Sequence, residues 1–548
     1  MEIKWTKWST DVIKKYHGNI QKYRKLYDGD HAELFERAKR LIQEGEITDQ
    51  IIDGPVVARN VKTPYIIANV CKIIVDIPAM LVSRAIGQVT TSTTPDDFAG
   101  KEMATDQGDG TLISPYEKQK ELIKGIAKRS NLQFEHKTNI IHHQMDGGIV
   151  GVPFDGENGL RIEFKSRDVY YPHPDGQGCD LVYQLEVEDE ETGEIEKYLH
   201  VYRERVEDRT LVTDHMLYAI DKDGQLEEVE DPEKVKEILG IGETHREFEG
   251  RDKPFVVYWP NNKTFTHPLG RSELYNQAGK QDEINWTLTR NAIVYERNGK
   301  PRIAVSKEIF QALQDKAYER FGSEDRIDHR DLEIVTFDDN GKAMEIIQID
   351  VSKIGDIKWV KDLMKLMLME THTSEKAVDF YLEGNTAAQS GVAKFYDLFV
   401  SIMKAEQIAA EYVHFLQELF ENCLWIARQD DPDIIIEEPR IQIKDMIPIS
   451  RRELIEQEST AYKNGTQSLE TTVRNQNPTA TDDWIEVELE AIEESQSSTD
   501  TTSILMGRQT LSNLLDNRNP NGTPIGATQQ QPQQQQQQAT QQTGGGQA

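Results

Sequence analysis

The residues best placed to do chemistry are three lysines. Lys358, Lys361 and Lys365 recur at spacings of three and four, which puts them on one flank of a helix. The 548-residue chain carries 95 Asp and Glu against 63 Lys and Arg, a net charge of −32, so an aligned basic row stands out. Such a row is either a solvated face paired with nearby carboxylates or a face turned toward an anionic polymer. Other reactive groups do not gather into a site. His142 and His143 are adjacent, so on a helix they point about 100° apart, and HHQMD is not the H-E-x-x-H zinc pattern. Asp106 and Asp109 sit beside glycines but lack the spacing and closing glutamate of a calcium loop. Cys71, Cys179 and Cys423 are far apart and in no metal spacing, as in a reducing compartment without a disulfide framework. No nucleophile elbow, P-loop or dinucleotide fingerprint occurs, and Gly384 and Gly391 form no phosphate cradle. No catalytic, cofactor-binding or metal-binding residue is assigned, and a role without catalysis is expected.

The charge balance bears on partners. A strongly acidic surface repels phosphates, so electrostatic wrapping of nucleic acid is not expected. Mean hydropathy is −0.64, and no apolar run approaches the roughly 18 residues of a membrane span. The opening MEIKWTKWSTDVIKK lacks the apolar core of a signal peptide, so a soluble protein made in a cytoplasm is expected. The length implies two to four domains.

The elements that must hold the lysines follow from periodicity. The lysine row lies in a helix expected from about Val351 to Thr371, with an apolar stripe Ile357, Val360, Met364, Met367 and Leu368. A matching helix is expected from about Ser272 to Asn298, striped by Leu274, Ala278, Ile284, Leu288, Ala292 and Tyr295 and stopped at Gly299-Lys300-Pro301. The two should pack antiparallel with a compact module between them, like a stalk with a tip. Trp286, Ile293, Trp359 and Met369 lie off these stripes and point to further contacts, such as neighbouring subunits.

Before the stalk, Ile13, Tyr16, Ile20, Tyr23 and Tyr27 mark one helical face that ends at Asp28-Gly29. A second helix places Ile67, Val70, Cys71, Ile74 and Val75 on one face, with Pro78 as kink or stop. Residues 89–112 turn to Thr, Ser, Asp and Gly and read as a flexible loop. Residues 149–260 alternate as strands with turns at Asp155-Gly156, Asn158-Gly159 and Asp223-Gly224 and an acidic hairpin tip. After the stalk comes a helix from Val392 to about Arg428, then two short strand-like runs split by Pro439, further helices, and a Gln/Gly tail.

Five stretches in this order carry a resemblance: KYRKLYDGDH, NVCKIIVDIPAMLVSRAIG, PFVVYWPNNKTFTHPLGRSELYNQAGKQDEINWTLTRN, GNTAAQSGVAKFYDLFVSIMKAEQIAAE and IPISRRELIEQESTAYKNGTQSLETTVRNQNP. Together they resemble the portal proteins (head-to-tail connectors) of tailed double-stranded DNA phages, especially those of long-tailed phages of Gram-positive hosts. Segment 89–112 and the Gln-rich tail have no counterpart in that resemblance. It implies an α+β, mostly helical subunit of a ring, usually of about twelve copies, at the portal vertex of the virion. Residues 1–268 would form a wing, 269–298 a first stem helix, 299–349 an α/β clip and 350–372 a second stem helix. A tunnel loop over 373–390, a long wing helix over 391–429, a crown over 430–515 and a disordered tail over 516–548 complete it. Implied partners are other copies of the chain, double-stranded DNA held without sequence preference, the terminase large subunit, a head-completion adaptor, and the major capsid and scaffolding proteins. No membrane is implied, and assembly in the host cytoplasm is. On this reading Lys358, Lys361, Lys365, Asn385, Thr386 and Gln389 face DNA, while Lys300, Arg302, Lys307 and Phe310 serve the clip's partners. The rival readings are an acidic nucleic-acid-processing or host-modifying enzyme with a helical lid, and a monomeric scaffold binding through its acidic hairpin.

Overall fold

The computed structural model describes residues 3–44, 47–48, 60–61, 65–99, 101, 104–105, 112–156, 158–188, 195–298, 302–305, 307–322, 344–347, 357–376, 391–446, 451–477, 480 and 484–493. Among the described residues helix makes up 53% and strand 22%, an α+β structure with helix in excess. It divides into two units, Met1–Pro448 and Ile449–Ala548.

In the first unit the aromatic stripe at the N-terminus forms two helices, α1 (Thr10–His17) and α2 (Ile20–Asp28), rather than one. Gly18 sits at φ 70° between them, where a right-handed helix cannot continue. Helix α3 (Val70–Ala85) runs through Pro78 without stopping. Buried Ile74, Val75, Ala79 and Val82 hold it on both sides of the proline, so packing outweighs the missing backbone donor. Strand β1 (Ile86–Thr90) follows directly. The loop expected from residue 89 therefore starts in a strand, and residues 91–99 are also ordered. Glu437 accepts hydrogen bonds from Ser92 N at 2.7 Å, Thr93 N at 2.8 Å and Gln119 Nε2 at 2.6 Å, and Thr94–Asp97 form a capping box. Polar composition here marks backbone-binding side chains.

Helices α4 (Pro115–Arg129) and α5 (Leu132–Asp146) lead into a β-rich region. Strands β2 (Gly148–Gly156), β3 (Gly159–Ser166) and β4 (Tyr170–Pro172) come first. They are followed by β5 (Gly178–Glu188), β6 (Ile195–Glu207), β7 (Thr210–Ile220) and β8 (Leu226–Glu228). Helix α6 (Pro232–Leu239), β9 (His245–Glu249) and β10 (Val257–Pro260) close the region. All pairings are antiparallel: one sheet runs β8-β7-β6-β5-β4 with β9 also on β7, and a second runs β10-β2-β3.

Next come α7 (Ala278–Asn298), β11 (Arg302–Val305), α8 (Lys307–Phe321), β12 (Met344–Ile347) and α9 (Ile357–Glu370). Strands β11 and β12 pair antiparallel, so the module between the two helices is a small α/β insertion. Helix α10 (Gly391–Asp430) is the longest element, and β13 (Arg440–Ile443) returns to pair with β1. The main core forms where Tyr412, Phe415, Leu416, Leu419 and Phe420 of α10 meet α3, α4 and the β10-β2-β3 sheet. Tyr412 is wholly buried, and its hydroxyl meets His136 Nδ1 and Asn139 Nδ2, each at 3.0 Å. The second unit holds α11 (Arg451–Lys463) and α12 (Leu469–Gln476), joined where Gln467 donates to Glu458 at 2.5 Å. Among the described residues no helix is long and apolar enough to cross a membrane.

Buried charge ties the N-terminus to this body. Asp180, with no exposed surface, accepts from Arg203 Nε at 2.8 Å, Arg203 Nη2 at 2.9 Å and Trp5 Nε1 at 2.8 Å, with His173 Nε2 at 2.8 Å. Arg24 of α2 grips Asp146 and Asp168 with four hydrogen bonds of 2.9–3.0 Å. His17 lies against Tyr171 at 4.8 Å between ring centroids, and neither of its nitrogens has a partner.

Burial holds His17 and His143 down to about 3 and His136 and His200 down to about 4, from an ordinary 6.5; Arg167 and Arg24 push His17 the same way, against Asp168 and Asp146. The unfolded chain takes up these protons below pH 6.5 while the folded chain refuses them. Their contribution is therefore complete above pH 6.5 and is lost as pH falls, down to about 4 for His136 and His200 and about 3 for His17 and His143, at up to about 1.4 kcal/mol per pH unit for each histidine. Urea midpoints should drop between pH 7 and pH 5, and His17→Phe should shrink that drop. Equal midpoints at the two pH values would contradict this account.

Candidate nucleic-acid interface

The lysine row depends on α9, and α9 depends on α7. Helix α7 begins at Ala278, six residues later than its stripe suggests, because Asn276 takes a left-handed φ of 65°. Leu274, Ala278 and Ile284 pack with Val360, Leu363, Met367 and Leu368 of α9 in one buried cluster that also holds Val70, Cys71, Ile74 and Val75. The helices run antiparallel: Lys280, near the start of α7, donates to Glu370 at the end of α9 at 2.6 Å, and Gln277 Nε2 donates to the same oxygen at 3.0 Å. The bond from Lys280 holds the Glu370 carboxyl below its usual range.

Beside this apolar stripe α7 carries a polar ladder. Gln281, Asn285 and Thr289, spaced by four, have no exposed surface. Gln281 Oε1 accepts from Val70 N at 3.0 Å and Cys71 N at 3.3 Å, satisfying two free donors at the start of α3. Its Nε2 donates to Ala68 O at 2.6 Å and Asn285 Oδ1 at 2.9 Å, and that Oδ1 also accepts from Ala68 N at 3.1 Å. Thr289 Oγ1 accepts from Ile66 N at 2.9 Å. Asn285 Nδ2 donates to His31 Nδ1 at 2.9 Å, so His31 carries its proton on Nε2 and donates to Leu26 O at 2.9 Å. Helix side chains thus take the place of a neighbouring strand for the extended segment 65–70.

The loop that launches α7 is locked in the same manner. Arg167 Nη1 donates to Asp146 O at 3.1 Å and Gly270 O at 3.2 Å, and Gln144 Nε2 donates to Asn261 Oδ1 at 3.1 Å. Gly147 (φ 86°) and Gly270 (φ 77°) meet there. A Cβ on Gly147 would stand 2.5 Å from the Arg271 carbonyl carbon, and one on Gly270 2.3 Å from Asn261 O. Lys404 of α10 donates to Glu273 at 2.6 Å and Thr371 O at 2.8 Å, clamping together the chain entering α7 and the chain leaving α9.

On this seat Lys358, Lys361 and Lys365 are all exposed and lie away from the buried face of α9. Lys365 pairs with Glu375 at 2.8 Å, so one of the three takes part in the ion pairing that a solvated face would show. Trp359 is 45% exposed and Met369 69%, so apolar surface flanks the row. Arg302 lies in β11, and Lys307 and Phe310 lie in α8, within the α/β insertion. Lys300, Asn385, Thr386 and Gln389 lie outside the described residues. The buried ladder escaped sequence reasoning, although its signal was legible: Gln281, Asn285 and Thr289 repeat at core spacing where solvent-facing polar residues have no such need. No family model and no curated protein matches the chain.

Replacing Gln281 with Ala strands the Cys71 amide and leaves Val70 N and Ala68 O only their bond to each other at 2.9 Å, and each buried unsatisfied group costs about 1–3 kcal/mol. Hydrogen exchange in Gln281→Ala should speed up at the Val70 and Cys71 amides while the β5–β6 amides keep their protection. Unchanged exchange at Val70 would mean the ladder does not hold the segment.

Proposed function

We propose that the chain is a portal-type subunit: a member of a ring at one vertex of a phage capsid through which double-stranded DNA enters and leaves. One observation carries this reading: an antiparallel helix pair, anchored through a buried polar seat and tipped by an α/β insertion, exposes an aligned lysine row in a chain of net charge −32. A channel that passes DNA must not grip it. Acidic walls repel phosphates, and a few lysines offer shallow, salt-sensitive contacts along the path. The five stretches that resemble portal proteins support the same reading. Exposed Trp359, Leu366 and Met369 on α9, with Val400 and Met403 on α10, supply apolar surface for contacts between copies.

In this reading the helix pair is the stem and the insertion with Arg302, Lys307 and Phe310 is the clip. The clip meets the terminase large subunit during packaging and a head-completion adaptor afterwards. Capsid and scaffolding proteins surround the ring in the virion, and Asn385, Thr386 and Gln389 belong to a loop facing DNA.

Negative-stain imaging and native mass measurement of the purified chain should show perforated rings of about a dozen copies. A chain that stays monomeric at every concentration would overturn the reading. Lys358→Glu/Lys361→Glu/Lys365→Glu should leave rings intact but lower the DNA retained in filled heads. Unchanged packaging and retention would remove the lysines from the channel, and loss of the ring would assign them to ion pairs between copies.

A further inference from the structure

A cleft of about 910 Å³ opens beside the loop 260–277, between the end of α9 and α10. Its floor holds Gln144, which has no exposed surface and whose Oε1 has no hydrogen-bond partner. Lys263 and Arg271 line it, and neither is paired with a carboxylate among the described residues; Arg271 lies instead over the Tyr275 ring at 5.0 Å. The acids that line it are already engaged: Glu273 by Lys404, Glu370 by Lys280, and Glu411 by Trp259 Nε1. Three non-glycine residues on its wall, Asn262, Asn276 and His372, hold left-handed φ values of 46°, 65° and 51°. Strained backbone of this kind gathers where a surface is shaped for use. Tyr275, Val400 and Met403 add half-exposed apolar wall. The cleft is therefore suited to an extended segment that brings carboxylates, an apolar side chain and a backbone N–H.

The chain carries such a segment. Strands β5 and β6 run past the end of β7: the last pair of β6 with β7 is Tyr198↔Ala219, whereas β5 and β6 stay paired through Ile195↔Glu188. Residues 186–196 read EVEDEETGEIE, with carboxylates at 186, 188, 189, 190, 191, 194 and 196. Ile195 is 64% exposed beside them. We propose that the cleft receives this acidic β5–β6 finger from a second copy of the chain, with Glu188 and Glu196 against Lys263 and Arg271 and Ile195 against Val400 and Met403. Finger and cleft are different patches of one chain, so the contact is heterologous and repeats from copy to copy. This rests on the ring reading and names the contact that orders the ring.

The test is a charge swap with a cross-link. Lys263→Glu/Arg271→Glu in the full chain should raise the concentration for half-assembly by about tenfold or more, because each charge is left facing its like. Adding Glu188→Lys/Glu196→Lys should restore assembly, which a merely misfolded variant cannot do. Cys71, Cys179 and Cys423 are buried, so Ile195→Cys/Met403→Cys should form an inter-copy disulfide on oxidation with little background. Rings that form at wild-type concentration in Lys263→Glu/Arg271→Glu, with no such cross-link, overturn the finger contact and leave the ring standing. A wild-type chain that never assembles overturns the ring first.

Discussion

The structure turns on a few buried amides. Gln281 and Asn285 give up hydration to bond the backbone of residues 68–71, and Gln281 also covers the open start of α3. That exchange is favourable only if every donor and acceptor is matched, and along this edge they are. Apolar side chains would have bound α7 to the body as tightly but with less definite register. Amides fix both rotation and height of the helix. The position of α9, and of the lysines on it, follows from that seat, since α9 packs against α7 in the same buried cluster.

Polar burial recurs at each place where distant segments meet. Asp180 holds Trp5 and Arg203, Arg24 holds Asp146 and Asp168, Glu437 holds the turn at 92–93, and Arg167 holds Gly270. Each joins residues far apart in sequence, and each carries more specificity than net stabilisation, because desolvation offsets much of the attraction. Among the described residues most Asp and Glu are not buried, and their charge disfavours phosphate nearby. Against that background the exposed lysines of α9 and the cations of the cleft are local exceptions, and the proposed function and the proposed contact each rest on one of them.

Much of this was legible beforehand. The helices α7, α9 and α10, the β-rich region and the turns at Asn158-Gly159 and Asp223-Gly224 follow from local periodicity and turn chemistry, whereas Asp155-Gly156 lies within β2 and the stripe residues Ile357 and Phe399 are exposed. The lysine row follows from spacing alone, and its exposure agrees. Misreadings fell where a distant partner decides. Pro78 stays helical because the core holds both sides of it. The Thr/Ser run at 91–94 is ordered by a carboxylate more than 300 residues away, and α7 starts late because Asn276 turns left-handed within the loop lock.

The sequence by itself determined most of the helix and strand segments, most of the apolar faces, and where the rare aligned cations lie, because these depend largely on neighbours a few residues apart. Only the tertiary structure decided that Gln281, Asn285 and Thr289 form a seat, that Lys263 and Arg271 share a cleft with a buried Gln144 whose Oε1 has no partner, and that the β5–β6 pair extends beyond its sheet. The first two depend on which residues meet across 100 or more positions. Composition and periodicity carry no record of that, since one buried amide reads the same as one in solvent until its partner is in place.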